Sequence, residues 1–158
     1  MLEVKIKKLH PDSVIPSYAK YGDAGLDLTA VSKSYDEYGN TVFGTGLAFE
    51  IPEGYVGLLF PRSSNAKTDL RLTNSVGVLD SSYRGEVMFK YRNDNYATIK
   101  KEKEFLFEIG VVRFANEYEI GDRIGQLIII PYPQVKLIEA EELSTTERGE
   151  GSYGSTGK

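Results

Sequence analysis

The sequence predicts an all-β domain of the sandwich, barrel or jelly-roll kind. Apolar residues alternate with polar ones or come in short runs, most runs are separated by glycine, proline, asparagine or aspartate, and no segment sustains a helical period. At the start, Leu2, Val4 and Ile6 alternate with Glu3, Lys5 and Lys7, the pattern of a half-buried strand. Residues 46–51 and 55–60 are the next strand candidates. The best short helix spans 64–71, after Pro61, with Ser63 or Ser64 as its N-cap. Strands are then expected over 76–79, 86–91, 105–112, 124–130 and 135–139. From Thr145 to Lys158 the chain reads TTERGEGSYGSTGK, almost free of aliphatic residues, and is expected to be a flexible tail that cannot order itself by burial.

The composition narrows the functions available. A chain of 158 residues with 41% hydrophobic residues fits one domain with a real core. It has no cysteine, so thiolate metal sites and disulfides are excluded. Its single histidine, His10, cannot build a zinc cluster and has no evident triad partner; beside Pro11 it reads as a surface residue. The formal net charge is −4, and the one basic cluster, at residues 100–103, is interrupted by Glu102, which argues against a nucleic-acid polymer as partner. A few arginines can still make a local pocket for a small anion. The N-terminal segment lacks the apolar core of a signal peptide, and the longest apolar run, 127–130, is too short to cross a bilayer. A soluble, cytoplasmic protein without a membrane partner is expected.

Several short segments carry chemistry. GDAGLDLTA (22–30) reads singly as a turn into a strand. In PRSS (61–64), Arg62 offers forked donors and Ser63 and Ser64 offer hydroxyls at a turn, which suits a phosphate as well as a helix cap. In the segment 74–89, Asp80 ends an apolar strand ahead of Tyr83, either as a turn residue or as a carboxylate held beside a reacting water. In GDRIGQLIII (121–130), Arg123 and Gln126 stand at the start of a buried strand, where Gln126 needs a hydrogen-bond partner. The tail's GSYGSTGK is not expected to be a P-loop, because its glycines Gly151 and Gly157 are one residue too far apart.

Taken together and in order, DAGLDL, PRSS, GVLDSSYRGEV, GDRIGQLI and RGEGSYGSTG resemble the five motifs of the homotrimeric dUTPase family, over residues 23–157. The resemblance implies a jelly-roll-like β-clip subunit, residues 1–143, in a threefold trimer whose active sites are shared between subunits. Residues 144–158 would form a closing lid. It implies hydrolysis of dUTP to dUMP and pyrophosphate, with Asp80 as general base for water attack on the α-phosphorus. Asn74 would read the uracil edge, helped by the backbone of Val78, of Leu79 and near Met88, and Tyr83 would exclude a 2′-hydroxyl. Arg62, Ser63, Ser64 and Gln126 would hold the phosphates. Magnesium would bind across the phosphates with no direct protein ligand, Asp27 accepting from its waters. From the tail, Tyr153 would stack on uracil, Arg148 would reach the γ-phosphate, and Gly154, Ser155 and Thr156 would cover the phosphate chain.

Three departures from the family pattern stand out. Tyr153 replaces a more usual phenylalanine, and Ser152 a usual glycine. The stretch 92–120 is longer than the usual connection and reads as an inserted hairpin or strand, or as a contact surface for another protein. Two other functions compete. One is dCTP deaminase, of the same superfamily, for which Glu86 would have to move protons; Tyr83, Asn74 and the tail speak against it. The other is a regulatory binding module gated by nucleotide through the insertion.

Overall fold

The computed structural model describes residues 2–93 and 117–152. Within them the chain forms ten strands: β1 (Lys5–Lys8), β2 (Leu26–Thr29), β3 (Ser32–Tyr35), β4 (Thr41–Gly44), β5 (Leu47–Glu50), β6 (Tyr55–Phe60), β7 (Leu70–Leu72), β8 (Gly77–Leu79), β9 (Met88–Asn93) and β10 (Arg123–Pro131). They assemble into a β1–β5 pair and two four-stranded sheets, ordered β2-β10-β6-β8 and β3-β4-β9-β7, with every pairing antiparallel. The expected all-β class holds.

One core joins the two larger sheets. Leu28, Leu59, Ile124 and Leu127 from the first meet Phe43, Leu72, Phe89 and Tyr91 from the second in a single buried cluster. Each such side chain contributes about 1.5–3 kcal/mol by leaving water. The Tyr91 hydroxyl crosses between the sheets and donates to the Ile124 carbonyl at 2.6 Å. Burial pushes its pKa up, so it remains a neutral donor. Gly125 is required where β10 approaches β9, because a Cβ there would overlap the Phe89 ring. The β3–β4 turn is tied by Asp36, which accepts from the Asn40 side chain, from the Asn40 and Tyr38 backbone and from Lys90. Led by the Asn40 side-chain bond, these hold its carboxyl well below the usual range.

Two expectations are corrected. The helix expected over 64–71 is a short 3-10 turn, Ser63–Lys67, followed by strand β7. Neither serine caps it: Arg62 occupies the N-cap position and makes no side-chain cap bond. The reason is tertiary. Leu70 and Leu72 are both buried with Arg71 exposed between them, a period of two that only a strand satisfies against the aromatic core. The strand expected over 135–139 has no pairing partner among the described residues, and Val135, Leu137 and Ile138 are exposed. A strand without a neighbour leaves its backbone unpaired and does not persist. The strand expected over 105–112 and most of the insertion lie outside the described residues. No helix among the described residues is long and apolar enough to cross a membrane.

Candidate active site

Strand register builds the first cluster of functional side chains. Gln126 on β10 lies opposite Asp27 on β2 and, on its other side, opposite Phe60 at the end of β6. Directly opposed side chains share a face, so Asp27 and Gln126 sit in one row, with the Pro61–Ser64 turn following at its end. They border a cavity of about 510 Å³ with Asp23, Arg62 and Arg123. The Arg62 Nε donates to Asp27 Oδ1 at 2.7 Å, and its Nη1 to the Ser64 hydroxyl at 3.2 Å. The partner that Gln126 requires is the Pro61 carbonyl, 3.1 Å from its Nε2. Gly25 leaves the space for this side chain, since a Cβ there would overlap Gln126 Oε1. Lys20, Arg62 and Arg123 face Asp23 and Asp27 around the cavity, three cations against two carboxylates. This is a locally positive pocket on an acidic chain, with donors suited to an anion.

Tyr118, absent from the sequence expectations, stands behind this turn. Its hydroxyl approaches Asn65 Oδ1 at 3.4 Å, and burial raises its pKa. Its ring packs edge-on to Tyr91 and Phe43 in the core, which anchors the turn from behind.

The second cluster forms around β8. Asn74, Val78, Leu79, Asp80, Tyr83 and Met88 line a smaller cavity, about 260 Å³, together with Glu86 and Lys90. Asp80 is exposed where β8 ends, and its carbonyl accepts from the Tyr83 backbone N–H at 3.0 Å, closing a turn. Arg84 staples that turn through the carbonyls of Ser81 and Tyr83, at 2.6 and 2.9 Å. The Tyr83 hydroxyl donates to the Glu86 carbonyl at 3.0 Å, and its ring lies so close over Gly85 that any Cβ there would overlap it. Tyr83 is therefore held as a fixed wall. Lys90 was missed as a lining residue; its alternation with Met88 along β9 was the available signal, because residues two apart share a face.

In one chain the two cavities share no lining residue. The sheet order explains why: β2 and β8 are opposite edges, three strand spacings or roughly 14 Å apart. Of the tail residues, Arg148 is described; it is exposed, and its Nε donates to the Gly151 carbonyl at 3.0 Å. Tyr153, Gly154, Ser155 and Thr156 lie outside the described residues. Among the described residues no group of three or more His, Asp or Glu side chains is placed to hold a metal ion.

Comparison with known proteins supplies the family. The dUTPase family model matches residues 12–104. The deoxyuridine 5'-triphosphate nucleotidohydrolase of Nautilia profundicola is 38% identical, the alignment covering 99% of this chain and 100% of the relative. That of Hydrogenobaculum sp. is 36% identical, covering 99% of each. Among solved structures, the fold is similar to the Staphylococcus bacteriophage 80alpha dUTPase with dUPNHPP, at a TM-score of 0.77 and 28% identity over 100% of both chains. It is also similar to a mutant dUTPase from phage phi11 of S. aureus, for which coordination of a structural Mg(II) ion is described (TM-score 0.68, 25% identity, 89% of this chain and 98% of that one). On the family model and on relatives matched end to end, the chain belongs to the dUTPase family.

Proposed function

We propose that the protein hydrolyses dUTP to dUMP and pyrophosphate. The observation that carries this reading is the pair of clusters: a forked-cation pocket at Arg62 and Gln126, and a pocket that joins an amide, a carboxylate and a fixed tyrosine wall. Asn74 presents both donors and an acceptor to the uracil edge. Val78, Leu79 and the backbone near Met88 narrow the pocket against larger bases. The Tyr83 ring lies under the deoxyribose and leaves no room for a 2′-hydroxyl. Asp80 aligns a water on the α-phosphorus and takes its proton as the water oxygen bonds to phosphorus. The bond to the bridging oxygen breaks, and pyrophosphate leaves. Arg62, Ser63, Ser64 and Gln126 hold the phosphate oxygens.

Magnesium fits this donor set. Its preference for waters and phosphate oxygens asks for no cage of protein ligands, and the Asp27 carboxylate is partly exposed and able to accept from a metal-bound water. When bound, the ion would neutralise charge on the triphosphate. The tail would close over the nucleotide, with Tyr153 on the base, Arg148 at the γ-phosphate, and Gly154, Ser155 and Thr156 along the phosphates. We place this activity in the cytoplasm, on the dissolved nucleotide pool.

Pyrophosphate release should be measured side by side with dUTP, UTP, dTTP and dCTP. The parent should select dUTP. In Tyr83→Ala the preference for dUTP over UTP should shrink, because the wall beneath the sugar is gone. A mutant that rejects UTP as strongly as the parent would remove Tyr83 from the role of sugar gate.

The separation of the two cavities within one chain supports a trimer with sites shared between subunits, in which a neighbouring chain brings base pocket and phosphate pocket together. The exposed apolar side chains of Val14, Ile15, Val135, Leu137, Ile138 and Leu143 support association. Light scattering is expected to give a threefold multiple of the 17.6 kDa chain. Full activity in a monomer at assay concentration would refute site sharing.

A further inference from the structure

Asp27 is gripped from two sides. Its Oδ1 accepts from Arg62 Nε at 2.7 Å and its Oδ2 from Arg123 Nη1 at 3.1 Å. Arg123 pairs with Thr29 in the β10–β2 register, so Asp27 is its diagonal neighbour, and an irregularity between Arg123 and Gly125 shifts the register beside it. The Arg123 side chain is 57% exposed, and ion pairs so open to water add little to fold stability. Orientation is the better account of the arrangement. The Asp27 and Ser64 contacts engage two nitrogens of the planar Arg62 guanidinium, which sets its plane at the cavity wall.

We propose that Arg123 is a positioning residue for this reaction: by occupying Asp27 Oδ2 it stops the carboxylate from closing both oxygens on Arg62, and so keeps Arg62 available to phosphate. Arginine and carboxylate otherwise favour a two-point fork, which would withdraw the Arg62 donors from a ligand. The proposal rests on Arg62 as a phosphate ligand, which Arg62→Ala tests separately.

The readout is calorimetric binding of α,β-imido-dUTP to the intact full-length protein in EDTA, so that neither turnover nor metal enters. Arg62→Ala should bind the analogue weakly. Arg123→Gln should weaken binding about tenfold, the scale of one charge-assisted hydrogen bond. Arg123→Lys keeps a cationic donor on Oδ2 and should restore most of the affinity. In an Asp27→Asn background the two-point capture is impossible, so adding Arg123→Gln should change little; the same holds in an Arg62→Ala background. An equal loss from Arg123→Gln in all three backgrounds would mean that Arg123 touches phosphate directly, and overturns the clamp. So does parent-like binding by Arg123→Gln while Arg62→Ala is weakened. Parent-like binding by Arg62→Ala instead defeats the underlying phosphate assignment. Arg123 and Asp27 lie outside the buried core, and thermal melts of every variant should confirm folding.

Discussion

Asp80→Asn is expected to lower turnover about 10²–10⁴-fold while nucleotide binding stays close to that of the parent. Asparagine matches aspartate in shape and keeps an acceptor, so the Asp80–Tyr83 turn, which uses the Asp80 backbone carbonyl, survives the change. What disappears is the group that takes the proton of the attacking water. The side chain is exposed at the end of β8 and outside the buried core, so the fold should not register its loss. Single-turnover pyrophosphate release and calorimetric binding of α,β-imido-dUTP, measured on the same preparation, separate the two effects. Turnover near that of the parent would remove Asp80 from the role of base.

A chain cut after Leu143 should fold normally yet lose turnover by roughly 10²-fold or more, the scale set by removing donors aimed at developing charge. Residues 144–150 are exposed, and the backbone hydrogen bonds described there are local, Gly149 to Thr146 and Gly151 to Arg148. Their removal takes no aliphatic side chain from the core. The cut removes Arg148, Tyr153, Ser155 and Thr156 together, and with them the cover that would exclude water from the reacting phosphates. Affinity for dUMP, which lacks the γ-phosphate and keeps the Asn74 pocket, should fall only modestly, by the loss of Tyr153 stacking on the base. Circular dichroism controls for folding. Hydrolysis by the folded truncation at the parent rate would reduce the tail to a frayed terminus.

Legibility in the sequence followed local physics. The bounds of strand β6 are legible because YVGLLF is a short apolar run flanked by a glycine turn and a proline. Strands β3 and β4 escaped as individual elements: β3, SKSY, is a mostly exposed edge strand whose composition says nothing of its neighbour. The residues around 64–72 misled for the opposite reason. Pro61 and the serines are good helix-start signals, yet burial of Leu70 and Leu72 against the aromatic core imposed a strand. Within the site, the residue types at 62, 64, 74, 80, 83 and 126 were each visible, as was the need of Gln126 for a partner. The placement of Tyr118 and the Arg62–Asp27–Arg123 arrangement were not, since each depends on contacts between residues far apart in the chain, whereas Lys90 had its alternation with Met88 along β9 as a local signal.

By itself, then, the sequence determined the class of the fold and the inventory of groups for the chemistry. Alternation, turn residues and the five ordered motifs are local or follow chain order, and need no knowledge of pairing. Tertiary structure alone decided the placement. The β10 register set Gln126 between Asp27 and Phe60, and the sheet order put the Arg62 pocket and the Asp80 pocket on opposite edges of one sheet. The physical reason is that strand pairing is non-local. A one-residue slip in register would turn Asp27 or Gln126 to the other face of the sheet, and only the packing of the whole core selects the register in which both line one cavity.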